Sequence, residues 1–319
     1  MDGGPPRRGE RGCDGAHVSI VAVIDVGSNS TNLLVSGPDG EPLRWRGAST
    51  RLGMGLAATG RLGTDGIART VDAVEAHLEV ARELGAAHTV VVGTAACRRA
   101  TNVTELATAI ADRTGLTLEI LSEHDEARLA FDGAVAGLDT VDVPTLVVDI
   151  GGGSTELAVG VREAELALSI PYGAVTSTES HFSADPPPPE DLTNLIGEVG
   201  DEIDDLVRVH PALGAVGRVV GVAGTIVTVA KVEVGTNDPS ALHGMVLTRD
   251  AAEDVFRTLA TEKPADRVLN PGLPPDRGDI IVAGCCILVA LMRRLGLDGI
   301  TVSTRGLLFG VAARERLAE

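Results

Sequence analysis

The chain has 319 residues, 44% of them hydrophobic and 23% charged, with a formal net charge of -18. The composition excludes a largely disordered chain, and the length suits two ordinary domains with a cleft between them. The negative charge excludes a broad surface for nucleic acid or anionic membrane, and the scarcity of aromatics (one Trp, one Tyr, four Phe) excludes base-stacking platforms.

The first sixteen residues, MDGGPPRRGERGCDGA, carry charge but no apolar stretch, and read as a disordered tail rather than a signal peptide. VIDVGSNSTNLLV, from Val23 to Val35, then gives an apolar strand, a Gly/Ser/Asn turn and a second strand. Helical spacing of Ile67, Val71, Val74 and Leu78 predicts a helix over Asp65 to Ala86, closed at Gly85. Thr89 to Val92 reads as a buried strand entering a loop at Gly93. Asn102 is the expected N-cap of the next helix, with Glu105 at the capping-box position. LTLEILS (Leu116 to Ser122) predicts a strand, and DEARLAFDGAVAGL a helix that begins near Asp125.

VVDIGGGSTELAV, Val147 to Val159, repeats the first strand-turn-strand unit without gaps, 124 positions on. The repeat predicts two related lobes, residues 17–137 and 138–319, after the tail at 1–16. In the second lobe a helix is expected over Asp191 to His210, behind the tetraproline Pro186 to Pro189. Val219 to Val232 predicts a strand, a Gly-Thr turn and a helix, Asp279 to Gly296 an apolar helix, and Gly299 to Glu319 a strand and closing helix. Strands alternating with helices imply the α/β class. No window offers eighteen uninterrupted apolar residues, so no membrane span is expected. Four cysteines without CxxC spacing (Cys13, Cys97, Cys285, Cys286) suit buried thiols in a reducing, cytoplasmic setting.

The two turns carry the chemistry. A dinucleotide fingerprint would lead into a helix, whereas Thr155 to Val159 reads as a strand, and a P-loop would need a lysine that is absent here. A hairpin whose main-chain N–H groups close around phosphate remains, drawing on Ser28 and Asn29 in one lobe and Gly151, Gly152, Gly153 and Ser154 in the other. Bare carboxylates would repel such a ligand. Asp25, Asp149 and Glu156 therefore read as ligands for a magnesium ion, with manganese as its substitute, shared with the substrate. The bland alternative is a pair of glycine-rich hairpins.

DVGSNS and DIGGGSTEL together resemble the two phosphate motifs of the actin, sugar-kinase and heat-shock ATPase superfold. Within it the chain is similar to the exopolyphosphatase and guanosine pentaphosphate phosphohydrolase family, from about Val21 to Leu317. The likeness includes TAACRRATN, SEHDEARLAF, PYGAV, GVAGTIVTVA, DRGDIIVAG and VSTRGLLFG. It implies two actin-like (ribonuclease H-like) α/β lobes around an interlobe cleft, magnesium, and a homodimer. It also implies Glu126 as the general base on water and Arg98 as a clamp on the terminal phosphate, with Arg99 pointing elsewhere. Asp125 beside Glu126 is expected to help raise its pKa.

Other positions stay open or departed from the family. Arg128 could face phosphate or pair with Asp125 or Asp132. His243 is read as structural, and the GVAGT turn as a strand-to-helix turn. Asn32 stands where the family often has Arg, and Leu308 and Phe309 where it often has Arg-Glu. The leading expectation is release of orthophosphate from inorganic polyphosphate. The alternatives are removal of the 5′ γ-phosphate of guanosine pentaphosphate, a non-catalytic sensor of either ligand, and, with less in its favour, a kinase.

Overall fold

The computed structural model describes residues 19–318, so the expected tail at 1–16 lies outside the described residues. Two sheets form the frame. The first is built from β1 (Val21–Val26), β2 (Ser30–Ser36), β3 (Pro42–Ser49), β4 (His88–Gly93) and β5 (Leu118–Ile120), in the order β3-β2-β1-β4-β5. Its helices are α1 (Leu56–Thr59), α2 (Thr64–Glu83), α3 (Ala95–Arg99), α4 (Val103–Thr114) and α5 (Glu123–Ala136). The second sheet uses β6 (Thr145–Ile150), β7 (Thr155–Gly160), β8 (Ala164–Ile170), β9 (Arg218–Val222), β10 (Val246–Thr248) and β11 (Gly299–Val302), in the order β10-β11-β9-β6-β7-β8. With it come α6 (Ala174–His181), α7 (Pro189–Val209), α8 (Ala223–Val234), α9 (Arg249–Thr261), α10 (Pro264–Arg267), α11 (Ile281–Arg294) and α12 (Leu307–Ala318).

The repeat seen in the sequence is a repeat of topology. β1-β2-β3 and β6-β7-β8 are antiparallel meanders, and each opening strand then pairs in parallel with a later one, β4 or β9. Asp25 pairs with Asn32 across the first hairpin, and Asp149 with Glu156 across the second, at matching registers. β3, β8, α6 and α9 carry no strong motif and are legible only in the structure.

Strand alternation explains which residues face the centre. On one side of the first sheet Ala22, Ile24 and Val26 pack with Val71 and Val74 of α2 and Leu106 and Ile110 of α4. On the other side Val21 and Val23 meet Val311 and Ala312 of α12. In the second sheet Leu146, Val148 and Ile150 turn toward α7, α8 and α11, while Val147 and Ala158 meet Ala127, Phe131 and Ala134 of α5. Asp25 shares the parity of Val21 and Val23, Asp149 that of Val147, and Glu156 that of Ala158. All three carboxylates thus sit on the faces that look toward the central helices α5 and α12.

Those helices cross between the sheets. α5, from the first half of the chain, packs on the second sheet, and α12, at the far end of the sequence, packs on the first. Gly133 and Gly310 mark the crossing. A Cβ on Gly133 would overlap the carbonyl of Gly306, and one on Gly310 the carbonyl of Leu129, so only glycine lets these backbones approach. His243 ties the same region, with Nε2 2.6 Å from the Gly137 carbonyl and Nδ1 accepting from the Thr304 N–H at 3.2 Å, which is the structural role expected of it.

Two helix starts differ from expectation. α5 begins at Glu123, because the Ser122 hydroxyl accepts from the Asp125 N–H at 3.1 Å and donates to Asp125 Oδ2 at 2.7 Å. Asn102 does not cap α4: its amide clamps the Leu62 N–H and carbonyl at 2.8 and 3.2 Å and donates to Glu105, docking the neighbouring loop instead. Replacing Gly310 by Ala is expected to cost ~1–3 kcal/mol of stability through overpacking at the crossing. An unchanged denaturation midpoint would show that the crossing tolerates a methyl group.

Candidate active site

Each half of the site begins with the same turn. The Gly27 N–H donates to the Ser30 carbonyl at 3.0 Å, and the Gly151 N–H to the Ser154 carbonyl at 3.0 Å. Both turns are then braced from behind through their carbonyls. Thr50 and Arg51 N–H groups donate to Asn29, and Gly53 to Ser28, at 2.7 to 3.0 Å. Ala174 donates to Gly151 at 2.9 Å, and Val175 and Thr176 to Gly152 at 2.8 and 3.2 Å, from the start of α6. Carbonyls bound at the back leave the N–H groups of Ser28, Asn29, Gly152, Gly153 and Ser154 without acceptors among the described residues, as a phosphate cradle requires.

The turns meet across the cleft. A Cβ on Gly153 would lie 2.5 Å from Ser28 Oγ and 2.8 Å from Ala95 Cβ, and one on Gly152 3.3 Å from the Asn29 nitrogen. Glycine at 152 and 153 is therefore what allows the lobes to close. Two polar contacts hold them together farther out: Arg51 to Asp279 at 2.6 Å and the Gly55 N–H to Glu179 Oε1 at 2.8 Å. Arg51 adopts a positive φ of 49°, fixed by its own N–H on Asn29 at 2.8 Å.

Four carboxylates and one guanidinium converge behind the turns. Arg98, on the last turn of α3, donates through Nη1 to Glu126 Oε2 and to the Leu121 carbonyl (3.1 Å), while its Nη2 has no hydrogen-bond partner and lies 3.9 Å from Glu156 Oε1. Glu156 Oε1 accepts from Ser154 at 2.5 Å and from Ser169 of β8 at 3.1 Å, and its Oε2 is buried without a partner. Asp25 Oδ1 and Asn29 Nδ2 are likewise buried and unpaired, while Asp25 Oδ2 accepts from Asn32 at 3.4 Å.

Burial dominates the electrostatics. It pushes the Asp25 carboxyl up to about 7, with Glu126 adding repulsion, and the Asp149 carboxyl up to about 8, with Glu126 and then Asp25 adding theirs. Glu156 is raised well above the ordinary carboxylate range by burial, then by Glu126 and Asp149. Glu126 is also raised, chiefly by burial; Arg98 opposes the shift and Glu123 adds to it. The neighbour that matters is thus Glu123, not Asp125, which is exposed and spent on the helix cap.

The carboxylates fit a hydrated divalent cation better than a closed protein cage. Among the described residues no group of three or more His, Cys, Asp or Glu is arranged to hold an ion directly, and Ser154 and Ser169 both donate to one oxygen of Glu156. The orphaned oxygens of Asp25 and Glu156, and the mutual repulsion of Asp25, Asp149 and Glu156, still call for positive charge between them. Magnesium keeps several waters and takes one or two carboxylates directly, so the donor set suits it.

A cavity of about 170 Å³ opens beside this cluster, lined by Ala95, Arg98, Arg99, Glu123, Gly153, Ser154, Ser169 and Pro171. It is smaller than the roughly 300–1,000 Å³ usual for organic ligands and has room for a phosphoryl group. Arg99 shares it with Arg98, against the expectation that it points elsewhere. Ser169 was missed because β8 carries no motif; its only signal was nearness in sequence to PYGAV. Arg128 is exposed and makes no ion pair within 4 Å among the described residues; its field on Asp132 is the trace of the anticipated pairing. At the GVAGT turn a Cβ on Gly224 would strike the Arg277 guanidinium, so a protein side chain fills the space over that turn.

The Ppx/GppA phosphatase family model matches residues 35–319. Exopolyphosphatase 2 of Mycobacterium tuberculosis is 32% identical, covering 92% of this chain and 97% of its own length. The guanosine-5′-triphosphate,3′-diphosphate pyrophosphatase of Aeromonas hydrophila is 28% identical over 94% of this chain and 62% of its length. Among solved structures, an exopolyphosphatase-like protein superposes with a TM-score of 0.88 at 27% identity, covering 93% of this chain and 99% of its own. An Aquifex aeolicus Ppx/GppA family member gives 0.76 at 31%, covering 94% and 98%. The two lobes are thus of the actin-like α/β kind.

The raised carboxyls fix the sign of a pH effect. A group protonated more readily when folded supports stability below its unfolded pKa, near 3.8 for Asp, and loses that support as pH rises through the folded value. With divalent cations chelated, Asp149→Asn is therefore expected to gain stability relative to the parent between pH near 3.8 and about 8. Parallel melting curves for the two proteins across that window would show that Asp149 ionises normally.

Proposed function

The chain belongs to the Ppx/GppA phosphatase family, and from that premise we propose that it is an exopolyphosphatase, releasing orthophosphate from the end of inorganic polyphosphate. The observation that carries the reading is Glu126: a buried carboxylate at the start of α5, steered by Arg98, beside two facing turns whose N–H groups lack acceptors.

The terminal phosphoryl group enters the cavity and takes N–H donors from Gly152, Gly153 and Ser154 on one side and from Ser28 and Asn29 on the other. Arg98 Nη2, unpaired in the free protein, reaches its oxygens. Glu126 Oε1 makes no hydrogen bond among the described residues; it orients the attacking water and accepts its proton as the water adds in line and the anhydride oxygen leaves. Magnesium, for which manganese can stand in, would be held by Asp25 and Asp149 with Glu156 through water, and would neutralise charge on the phosphoryl oxygens. The closing turns exclude bulk water, which strengthens each of these contacts.

Removal of the 5′ γ-phosphate of guanosine pentaphosphate is the second reading, favoured by the Aeromonas relative and compatible with a cavity that has room for a phosphoryl group. A non-catalytic sensor is less well supported, because Glu126 and Arg98 are both in place. The net charge of -18 argues against a nucleic-acid partner. No described helix is long and apolar enough to cross a membrane. The buried free thiols Cys97, Cys285 and Cys286 support a cytoplasmic setting, and a homodimer is carried over from the family resemblance.

Glu126→Gln is expected to fold normally and lower turnover of polyphosphate roughly 10²- to 10⁴-fold, the scale of general-base loss. Near-parental phosphate release by that variant would remove Glu126 from the mechanism. Chelation of magnesium is expected to abolish orthophosphate release, and readdition to restore it. Comparing kcat/KM for polyphosphate with that for guanosine pentaphosphate decides between the two substrates.

A further inference from the structure

Arg98 and Arg99 are consecutive on α3, yet both line the same cavity, and they differ in every other respect. Arg98 is largely buried and committed to Glu126 and the Leu121 carbonyl. Arg99 is exposed and makes no hydrogen bond or ion pair within 4 Å among the described residues. The helix is five residues long and ends at Arg99, which lines the cavity while remaining exposed to solvent. Glu123 lines the same mouth and is exposed as well, without closing on Arg99 as an ion pair. Other exposed arginines, Arg44, Arg46, Arg82 and Arg128, are also unpaired among the described residues, but Arg99 is the one that lines the cavity.

We propose that Arg99 is a specificity-determining residue that grips the phosphates behind the terminal one. The inference rests on the phosphoanhydride reading of the site and adds a substrate preference to it. A cavity of about 170 Å³ has room for the reacting group and a short run behind it at most, so the remainder of a long linear polyanion must extend beyond it, and Arg99 is the exposed cation of its lining. Its guanidinium offers forked donors to successive phosphate oxygens, and Glu123 opposite repels a chain that strays to the other side. A lone orthophosphate, seated against Arg98 and the turns, does not reach Arg99. Longer anionic chains therefore gain affinity that the shortest do not.

The test measures kcat/KM for Arg99→Ala, Arg99→Lys and the parent enzyme with tripolyphosphate and with long-chain polyphosphate, together with the inhibition constant of orthophosphate. For Arg99→Ala the expected loss is roughly 2- to 5-fold on the long chain, the scale of one solvent-exposed charge contact, and appears in KM. The loss is smaller on tripolyphosphate, and orthophosphate inhibition stays at the parental value. The salt dependence of log KM for the long chain falls in slope by about one, as loss of one phosphate contact requires. Arg99→Lys recovers part of the affinity because it keeps the charge. An equal loss at both lengths, or none at either, overturns the proposal. If the parent releases no phosphate from any polyphosphate, the functional reading fails instead, a result the length comparison cannot imitate.

Discussion

Every feature of the site answers to one constraint: four carboxylates, Asp25, Glu126, Asp149 and Glu156, are buried together, and a single arginine, Arg98, reaches only two of them, Glu126 and Glu156. Burial raises all four, Glu126 adds repulsion on the other three, and Arg98 can satisfy only part of the excess negative charge. Such an arrangement is costly in an empty protein and becomes favourable when positive charge enters. The same imbalance that makes the cluster poor at stabilising the fold makes it suited to gather a cation and, through it, a phosphate. Arg98 links the two tasks, because the guanidinium that steers Glu126 also leaves one nitrogen directed at Glu156.

The fold supports this cluster by close backbone approach. Gly152 and Gly153 allow one turn to lie against Ser28 of the other, and Gly133 and Gly310 allow the two central helices to cross between the sheets. The crossing matters for the chemistry since α5 carries Glu126 at its first turns. A helix that belongs by sequence to one lobe packs on the sheet of the other, so the base is positioned by both lobes at once. Strand parity does the rest, placing Asp25, Asp149 and Glu156 on the central faces.

Much of this was legible in the residues. The 124-residue echo revealed the duplicated hairpins, and the apolar periodicity gave most helices, because both signals are local. Glu126 and Arg98 came through family resemblance, since an acid in a helix's first turn or an arginine in a loop has ordinary uses. What stayed hidden was tertiary. Ser169 reaches Glu156 only because β8 pairs beside β7; Asn102 abandons its cap to hold Leu62; Asp125 is consumed by Ser122; and Arg99 faces the cavity because its helix stops there. None of these follows from spacing, as each depends on which groups a neighbouring segment leaves unsatisfied.

The contacts that fasten the cleft shut are of a different grade from those that build the sheets. Arg51 and Asp279 are both substantially exposed, and the Gly55–Glu179 bond lies at the surface. Ties of this kind contribute little free energy and soften with ionic strength. The rim of the cleft can therefore loosen far more readily than the crossing of α5 and α12, where buried side chains join the two sheets. Opening would thus pivot about that crossing, with the two turns at the free end of the movement.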